Sequence, residues 1–260
     1  PPGLGMCSLN QARLGGIAKG IVPKPDALLS WDFECDQTPK VDELIHEVYG
    51  VPAVIYIDNC LDSPKGEYPE ITPRRVGYMA NDIKEAVNEI QKLTGLELSE
   101  EVLSTARREV AKLWLGMFEV WKLQKADPVP LSWVDLAIIW WLISEPERRT
   151  LQEGAAVVGT LLREAKERVD QGKGVKEKGT PRVILLGEQA TDPSIFRMFE
   201  DAGLTLAGSV FGWISPQEMT KSKYTTFQER DAERQIQHGV YHSTEGIVYR
   251  TKQACEFYNA

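Results

Sequence analysis
The sequence holds no Cys-x-x-Cys pair, which excludes a zinc ribbon or a ferredoxin-type ligand run. Its four cysteines, Cys7, Cys35, Cys60 and Cys255, are too scattered to read as a disulfide framework. A chain of 260 residues buries enough core to need no such staples. The opening Pro1-Pro2-Gly3-Leu4-Gly5 has no charged n-region and does not read as a signal peptide, so reduced thiols in a cytoplasm are the expectation. The longest apolar run, Leu136 to Ile143, falls far short of the roughly 20 residues of a membrane helix, so no membrane partner is expected. A formal charge of −8 supplies no broad basic field, which makes nucleic acid an unexpected main partner. No Gly-x-x-x-x-Gly-Lys-Ser/Thr occurs, and Gly187-Glu188-Gln189 is not a phosphate-binding glycine loop. With three histidines against four thiols, an iron–sulfur ligand set is favoured over a mixed histidine and carboxylate metal site.

The stretch from Ser30 to Lys40 is the one the rest is organised around. The apolar run Ala27-Leu28-Leu29 leads into it, and the helical pattern Val41 to Val48 leads out. Cys35 therefore sits where a buried strand ends and a helix begins, the place where an open α/β sheet holds its ligands. Backbone N–H groups and the positive end of a helix dipole can stabilise a thiolate or an anion there. The alternative is a small apolar cysteine filling space beneath a helix.

Taken in order, Ser8 to Gly20 reads as a helix rich in small residues, following Cys7. Pro23 to Asp26 is a turn, Ala27 to Trp31 a strand, and Pro39 to Tyr49 a helix capped by Gly50. Val51 to Ile57 is a second apolar strand, as parallel strands are, and ends at Asp58-Asn59-Cys60. A helical crossover makes the two strands parallel, so Cys35 and Cys60 share one sheet edge. Cys60 is then either a further thiol at that edge or a strand-end packing residue.

Residues 1–72 read as a first α/β domain, short of an N-terminal part, and 73–170 as a helical region. Within it, helices cover Tyr78 to Leu93, Ser99 to Gln124, Ser132 to Ile143 and Leu151 to Val169. Their tryptophans and methionines read as core. Residues 171–180 have linker composition. A second α/β domain follows over 181–260, expected to be C-terminally incomplete. Its predicted strands are Pro181 to Gly187, Gly203 to Ala207 and Glu245 to Arg250, with helices from Asp192 and over Phe227 to Gln237. Cys255 would follow the third strand.

Several of these residues resemble one family. Cys7 before a glycine-rich helix, Lys24-Pro25-Asp26, and Cys35-Asp36 with Lys40 and Glu43-Leu44 are similar to the 2-hydroxyacyl-CoA dehydratase D-component family. So are Leu93-Thr94-Gly95, Ser99 to Leu103, Pro128 to Leu131, and Glu245 to Val248 leading to a late cysteine. That family also contains the benzoyl-CoA reductase cluster subunits and the double-cubane-cluster reductases.

The resemblance implies two flavodoxin-like, Rossmann-type parallel-sheet domains with a helical insert and a cluster in the cleft between them. It implies a [4Fe–4S] cluster held by Cys7, Cys35 and Cys255. Three cysteines leave one iron open to act as a Lewis acid and one-electron donor toward an acyl-CoA thioester, giving a ketyl radical that expels hydroxide. It also implies a homologous second subunit or self-dimer, and an ATP-hydrolysing iron–sulfur activator protein, which fits the missing phosphate loop here. The expected activity is anaerobic 2-hydroxyacyl-CoA dehydration or aromatic acyl-CoA reduction. Cys60 departs from the three-ligand pattern and keeps open an [8Fe–9S] double-cubane reductase of small molecules. A non-catalytic electron-relay or scaffold subunit, and an α/β protein with incidental cysteines, are the remaining readings.

Other polar residues are weaker candidates. Asp36 reads as a helix cap more readily than a cluster-tuning group. His46 reads as a surface or interface residue of its helix. His238 and His242 could move protons, and Glu188 and Gln189 could meet substrate at a strand end.

Overall fold
The computed structural model describes residues 6–31, 37–58, 71–144, 150–186, 194–210, 222–238 and 244–260. In chain order the elements are α1 (Ser8–Ala18), β1 (Leu28–Trp31), α2 (Gln37–Tyr49), β2 (Val54–Ile57), α3 (Pro73–Thr94), α4 (Glu100–Leu123), α5 (Trp133–Ser144), α6 (Leu151–Asp170), β3 (Arg182–Leu185), α7 (Ser194–Asp201), β4 (Thr205–Ser209), α8 (Phe227–His238) and α9 (Thr244–Tyr258). They form two compact units, one made of Pro1–Glu100 with Ser222–Gly246, the other of Glu101–Lys221 with Ile247–Ala260.

In the first unit β1 and β2 pair in parallel, with Leu28 opposite Val54 and Trp31 opposite Ile57. Gly50 closes α2 at φ +65°, where its N–H donates to the His46 carbonyl, as its capping role requires. Ile55 and Ile57 of β2 pack with Val76, Met79, Ala80, Ile83 and Ala86 of α3, and with Ala232 and Ile236 of α8. The α3 positions recur every three or four residues, which is the apolar stripe of an amphipathic helix. Thr72 caps α3 by accepting from the Arg75 N–H at 3.3 Å, and Gly95 ends it at φ +71°. A separate small core joins Leu14 of α1 to Val41 and Ile45 of α2 and to Val51.

In the second unit β3 and β4 are also parallel. Their register slips between Val183, opposite Leu206, and Ile184, opposite Gly208, which leaves Ala207 as a bulge. All five residues of β4 are buried. Arg182, at the start of β3, gathers three backbone carbonyls. Its Nη1 donates to Ala126 O (2.8 Å), and its Nη2 donates to Gln124 O (2.8 Å) and Tyr258 O (2.5 Å). One guanidinium thus ties the chain beyond α4 and the end of α9 to the first residue of β3. Burial lowers the Arg182 pKa, and Asp127 opposes that shift. Gln124, fully buried, clamps the next turn by bonding both the N–H and the carbonyl of Leu131. The 171–180 stretch is hydrogen-bonded along its length. The Lys173 N–H meets Arg168 O (2.8 Å), the Val175 N–H meets Val129 O (2.9 Å), and the Gly179 N–H meets Asp127 Oδ1 (3.0 Å). The capping box expected of a helix start appears at α6, where Thr150 and Glu153 bond each other's backbone N–H.

The strand predicted over Glu245 to Arg250 is corrected to a helix, α9. Ile247, Val248 and Tyr249 favour a strand locally, but burial follows a helical period. Arg250, Ala254 and Tyr258, four residues apart, are the buried positions, while Val248 is 61% exposed. Thr251 Oγ1 donates to the Ile247 carbonyl one turn back at 2.7 Å. Cys255 is therefore a helical residue and does not follow a strand. Among the described residues each unit shows a two-stranded parallel sheet flanked by helices, an α/β arrangement; two complete Rossmann-like sheets would go beyond it.

Gly208 is a tight constraint on this packing. A Cβ there would lie 2.3 Å from Tyr258 Cε2 and within 2.5 Å of two further ring atoms. Gly208→Ala is expected to destabilise the protein by about 1–3 kcal/mol in urea denaturation through overpacking. Gly159→Ala, at an exposed position of α6 with nothing near its Cβ, is expected to stabilise it by about 0.5–1 kcal/mol. Equal effects of the two substitutions would contradict the packing described.

Candidate functional site
The parallel register of β1 and β2 brings Trp31 and Ile57, the last residues of both strands, to one sheet edge. Cys7 approaches the same region through α2. It is the N-cap residue of α1, with extended backbone (φ −65°, ψ 156°) and no side-chain capping bond. Its N–H donates to Oε1 of Gln37, the first residue of α2, at 3.2 Å. Its carbonyl accepts from the Gln11 N–H at 3.0 Å, and Gln11 Nε2 donates to the Met6 carbonyl at 2.6 Å. The backbone of Cys7 is held on both sides while its side chain stays exposed as a free thiol.

A second tie joins α1 to α2. Arg13 Nη2 pairs with Asp42 Oδ1 at 2.5 Å, and Asp42 is completely buried. Arg13 Nη1 also reaches Asn10 Oδ1 at 3.5 Å. A buried carboxylate without its cation is costly, so this pair specifies how α1 docks even where its net stabilisation is modest. The remaining oxygen, Asp42 Oδ2, has no hydrogen-bond partner among the described residues.

At the end of β2 lies a small acidic group that the sequence reading did not single out. Tyr78 Oη donates to Asp58 Oδ2 at 2.9 Å, joining α3 to the residue that follows the strand. The Asp82 carboxyl is raised above its ordinary value by burial first. The nearby Asp58 and Glu85 carboxylates raise it further, and the Asp58 backbone N–H pulls the other way. Tyr56, on the exposed side of β2, is likewise raised by burial and by Glu43 and Asp42.

The predicted site residues fall unevenly on this frame. Cys35, Asp36, Cys60, Glu188, Gln189 and His242 lie outside the described residues, as does the side chain of His238. His46 lies in the last turn of α2, the end away from Gln37, where Nδ1 bonds the Val51 carbonyl at 2.5 Å. Its role is to hold the turn into β2. Cys255 is a half-buried free thiol on α9 of the second unit, between the packed residues Ala254 and Tyr258. Burial raises the Tyr258 phenol. Among the described residues no three histidine, cysteine or carboxylate groups converge as a metal site. Gln37 and Asp82 carry no signal in sequence, because neither type marks a site until a fold gives it a neighbour.

The Asp82 environment sets a pH dependence. A carboxyl whose folded-state pKa is raised favours the fold in its protonated form. That contribution is present at low pH and is lost as pH rises from its ordinary 3.8 through the raised value. Asp82→Asn, which keeps an acceptor for the Asp58 N–H, is expected to gain stability over the wild type progressively as pH rises above 3.8. Urea midpoints across that range check it; a stability difference that stays flat with pH would contradict the assignment.

A comparison with curated proteins found no match. The family model described as 2-hydroxyglutaryl-CoA dehydratase, D-component, matches residues 5–260, nearly the whole chain and including all four cysteines. The chain therefore belongs to the 2-hydroxyglutaryl-CoA dehydratase D-component family.

Proposed function
We propose that this protein is the iron–sulfur subunit of a 2-hydroxyacyl-CoA dehydratase, with Cys7, Cys35 and Cys255 as ligands of one [4Fe–4S] cluster. The observation that carries the reading is the family match from residue 5 to 260, a span that contains every proposed ligand. The donor chemistry fits. Cys7 and Cys255 are free thiols, and Cys7 is exposed with its sulfur unused by its own helix. Gln37 is two positions after Cys35, a reach of at most about 7–8 Å, and Gln37 bonds the Cys7 N–H directly. Cys255 is supplied by the second unit, on a helix that Arg182 anchors through the Tyr258 carbonyl.

Bound on three thiolates, such a cluster supplies an open iron for a substrate oxygen and a single low-potential electron. The chain's own contribution is to hold the thiols. Arg13 and Asp42 dock α1, Gln11 and Gln37 fix the Cys7 backbone, and the Tyr258 ring seats α9 on β4. The electron would come from an ATP-hydrolysing iron–sulfur activator, and a homologous second subunit or a second copy would complete the enzyme, acting on an acyl-CoA. No helix among the described residues is long and apolar enough to cross a membrane.

A second reading rests on Cys60, three residues beyond β2, whose end lies in register with the end of β1. A fourth thiol near that edge suits an [8Fe–9S] double cubane and an ATP-dependent reductase. Iron and acid-labile sulfide, measured per chain after anaerobic purification, separate the two. About four irons are expected for the first reading and about eight for the second. A chain that binds no iron under these conditions would contradict both.

A further inference from the structure
We propose that Arg182 is a positioning residue for the Cys255 thiol; the proposal rests on the reading of Cys255 as a cluster ligand. Cys255 lies in the last turn of α9. A helix frays most readily there, because its final carbonyls have no intrahelical donors. In this chain the turn is closed twice. From within, Asn259 takes the left-handed region at φ 55°, and the Ala260 N–H donates back to the Cys255 carbonyl at 3.1 Å. That is the outer bond of a Schellman closure. From outside, Arg182 Nη2 donates to the Tyr258 carbonyl at 2.5 Å and so takes one of the orphan acceptors.

The other contacts of this turn are made by rings. The Tyr258 ring lies against Gly208, and the Phe257 ring centre is 5.5 Å from that of Phe118. Lys125 Nζ sits 4.7 Å over the Phe257 ring. Apolar ring contacts are largely non-directional, whereas the guanidinium fork donates at fixed angles. Arg182 is itself held in place, as the first residue of β3 opposite Thr205 of β4 and as donor to the Gln124 and Ala126 carbonyls. Its bond to Tyr258 therefore refers the end of α9 to the sheet and to the chain beyond α4. Tyr258 is three positions after Cys255, so the two side chains are neighbours on one helix face. Outer bonds of this kind orient ligands, and their loss weakens metal retention while the ligands themselves remain.

The chemistry of the donor gives a discriminating variant. Arg182→Lys keeps the positive charge but replaces the fork that holds three carbonyls with one ammonium on a flexible stem. Leu161→Ala is the comparison, since it leaves a cavity in buried α6, a helix that carries none of the proposed ligands. The full chain of each variant is purified anaerobically beside the wild type. Measured are the thermal unfolding temperature, iron release to a chelator, and the electron paramagnetic resonance spectrum of the reduced cluster. Both variants are expected to unfold at a lower temperature. Arg182→Lys is expected to release iron about fivefold faster than the wild type, the factor that one ordinary hydrogen bond supplies, and to change the spectrum. Leu161→Ala is expected to keep the wild-type spectrum and to release iron at close to the wild-type rate. Gly208→Ala presses on the Tyr258 ring from β4 with Arg182 intact, and is expected to change the spectrum by this second route.

A purely structural arginine would lower the unfolding temperature of Arg182→Lys and leave iron release and spectrum unchanged, and that result overturns the proposal. Leu161→Ala losing iron as fast as Arg182→Lys overturns it too, since loss of stability alone would then explain the release. If Arg182→Lys does not fold, an unchanged spectrum in Gly208→Ala overturns it, because the last turn of α9 would not govern the cluster. If the wild-type chain holds no iron, the ligand reading itself fails and the proposal falls with it. If the wild type holds iron and Arg182→Lys is indifferent, only the role of Arg182 fails.

Discussion
Two strands that pair in parallel have their carboxyl ends on one edge, and this constraint decides where chemistry can gather in the first unit. Trp31 and Ile57 end β1 and β2 in register, so the connections that carry Cys35 and Cys60 both leave from that edge. The α2 helix then returns antiparallel to the strands with its N-terminus at the same edge. Its first residue, Gln37, receives the Cys7 N–H there. The connections that carry Cys35 and Cys60 are thus related to one edge by backbone topology, and the Gln37 side chain adds Cys7.

Side-chain ties convert that topology into a defined geometry. Buried Asp42 takes Arg13 and so holds α1 against α2. In the second unit Arg182 binds the carbonyls of Gln124, Ala126 and Tyr258, and the Tyr258 ring lies where any Cβ at Gly208 would clash. Tyr258, which takes part in both contacts, is three residues beyond Cys255 on the same helix. Both units use one strategy: a charged or polar side chain joins segments distant in sequence, through Gln37 and Arg13 in the first and Arg182 in the second. Arginine suits this task because its planar fork offers several donors at fixed angles.

Much of this was legible in the sequence. The apolar runs around Leu28 and Ile55, the amphipathic period of α3 and the caps at Gly50 and Gly95 each matched a rule of local structure, and the helices and strands formed there. The segment after Thr244 was not legible. Ile247, Val248 and Tyr249 make a strand-like run, and the helical stripe that overrides them begins with a buried arginine, Arg250, which no apolar count includes. The outer support of the site was also hidden. Gln37 and Asp82 matter through partners 30 and 24 positions away, Cys7 and Asp58, and long-range pairs of polar residues leave no periodic trace. The family resemblance implied a ligand set, while the structure shows what holds the backbone of Cys7 and the helix that carries Cys255.

The central claim is that Cys7, Cys35 and Cys255 share one cluster to which Cys60 is not a ligand. Iron content per chain in Cys255→Ser and Cys60→Ser, purified anaerobically side by side, tests it most directly. The account predicts that Cys255→Ser loses most of its iron and that Cys60→Ser retains the wild-type amount. The reverse pattern, with Cys60→Ser depleted and Cys255→Ser unchanged, would contradict it.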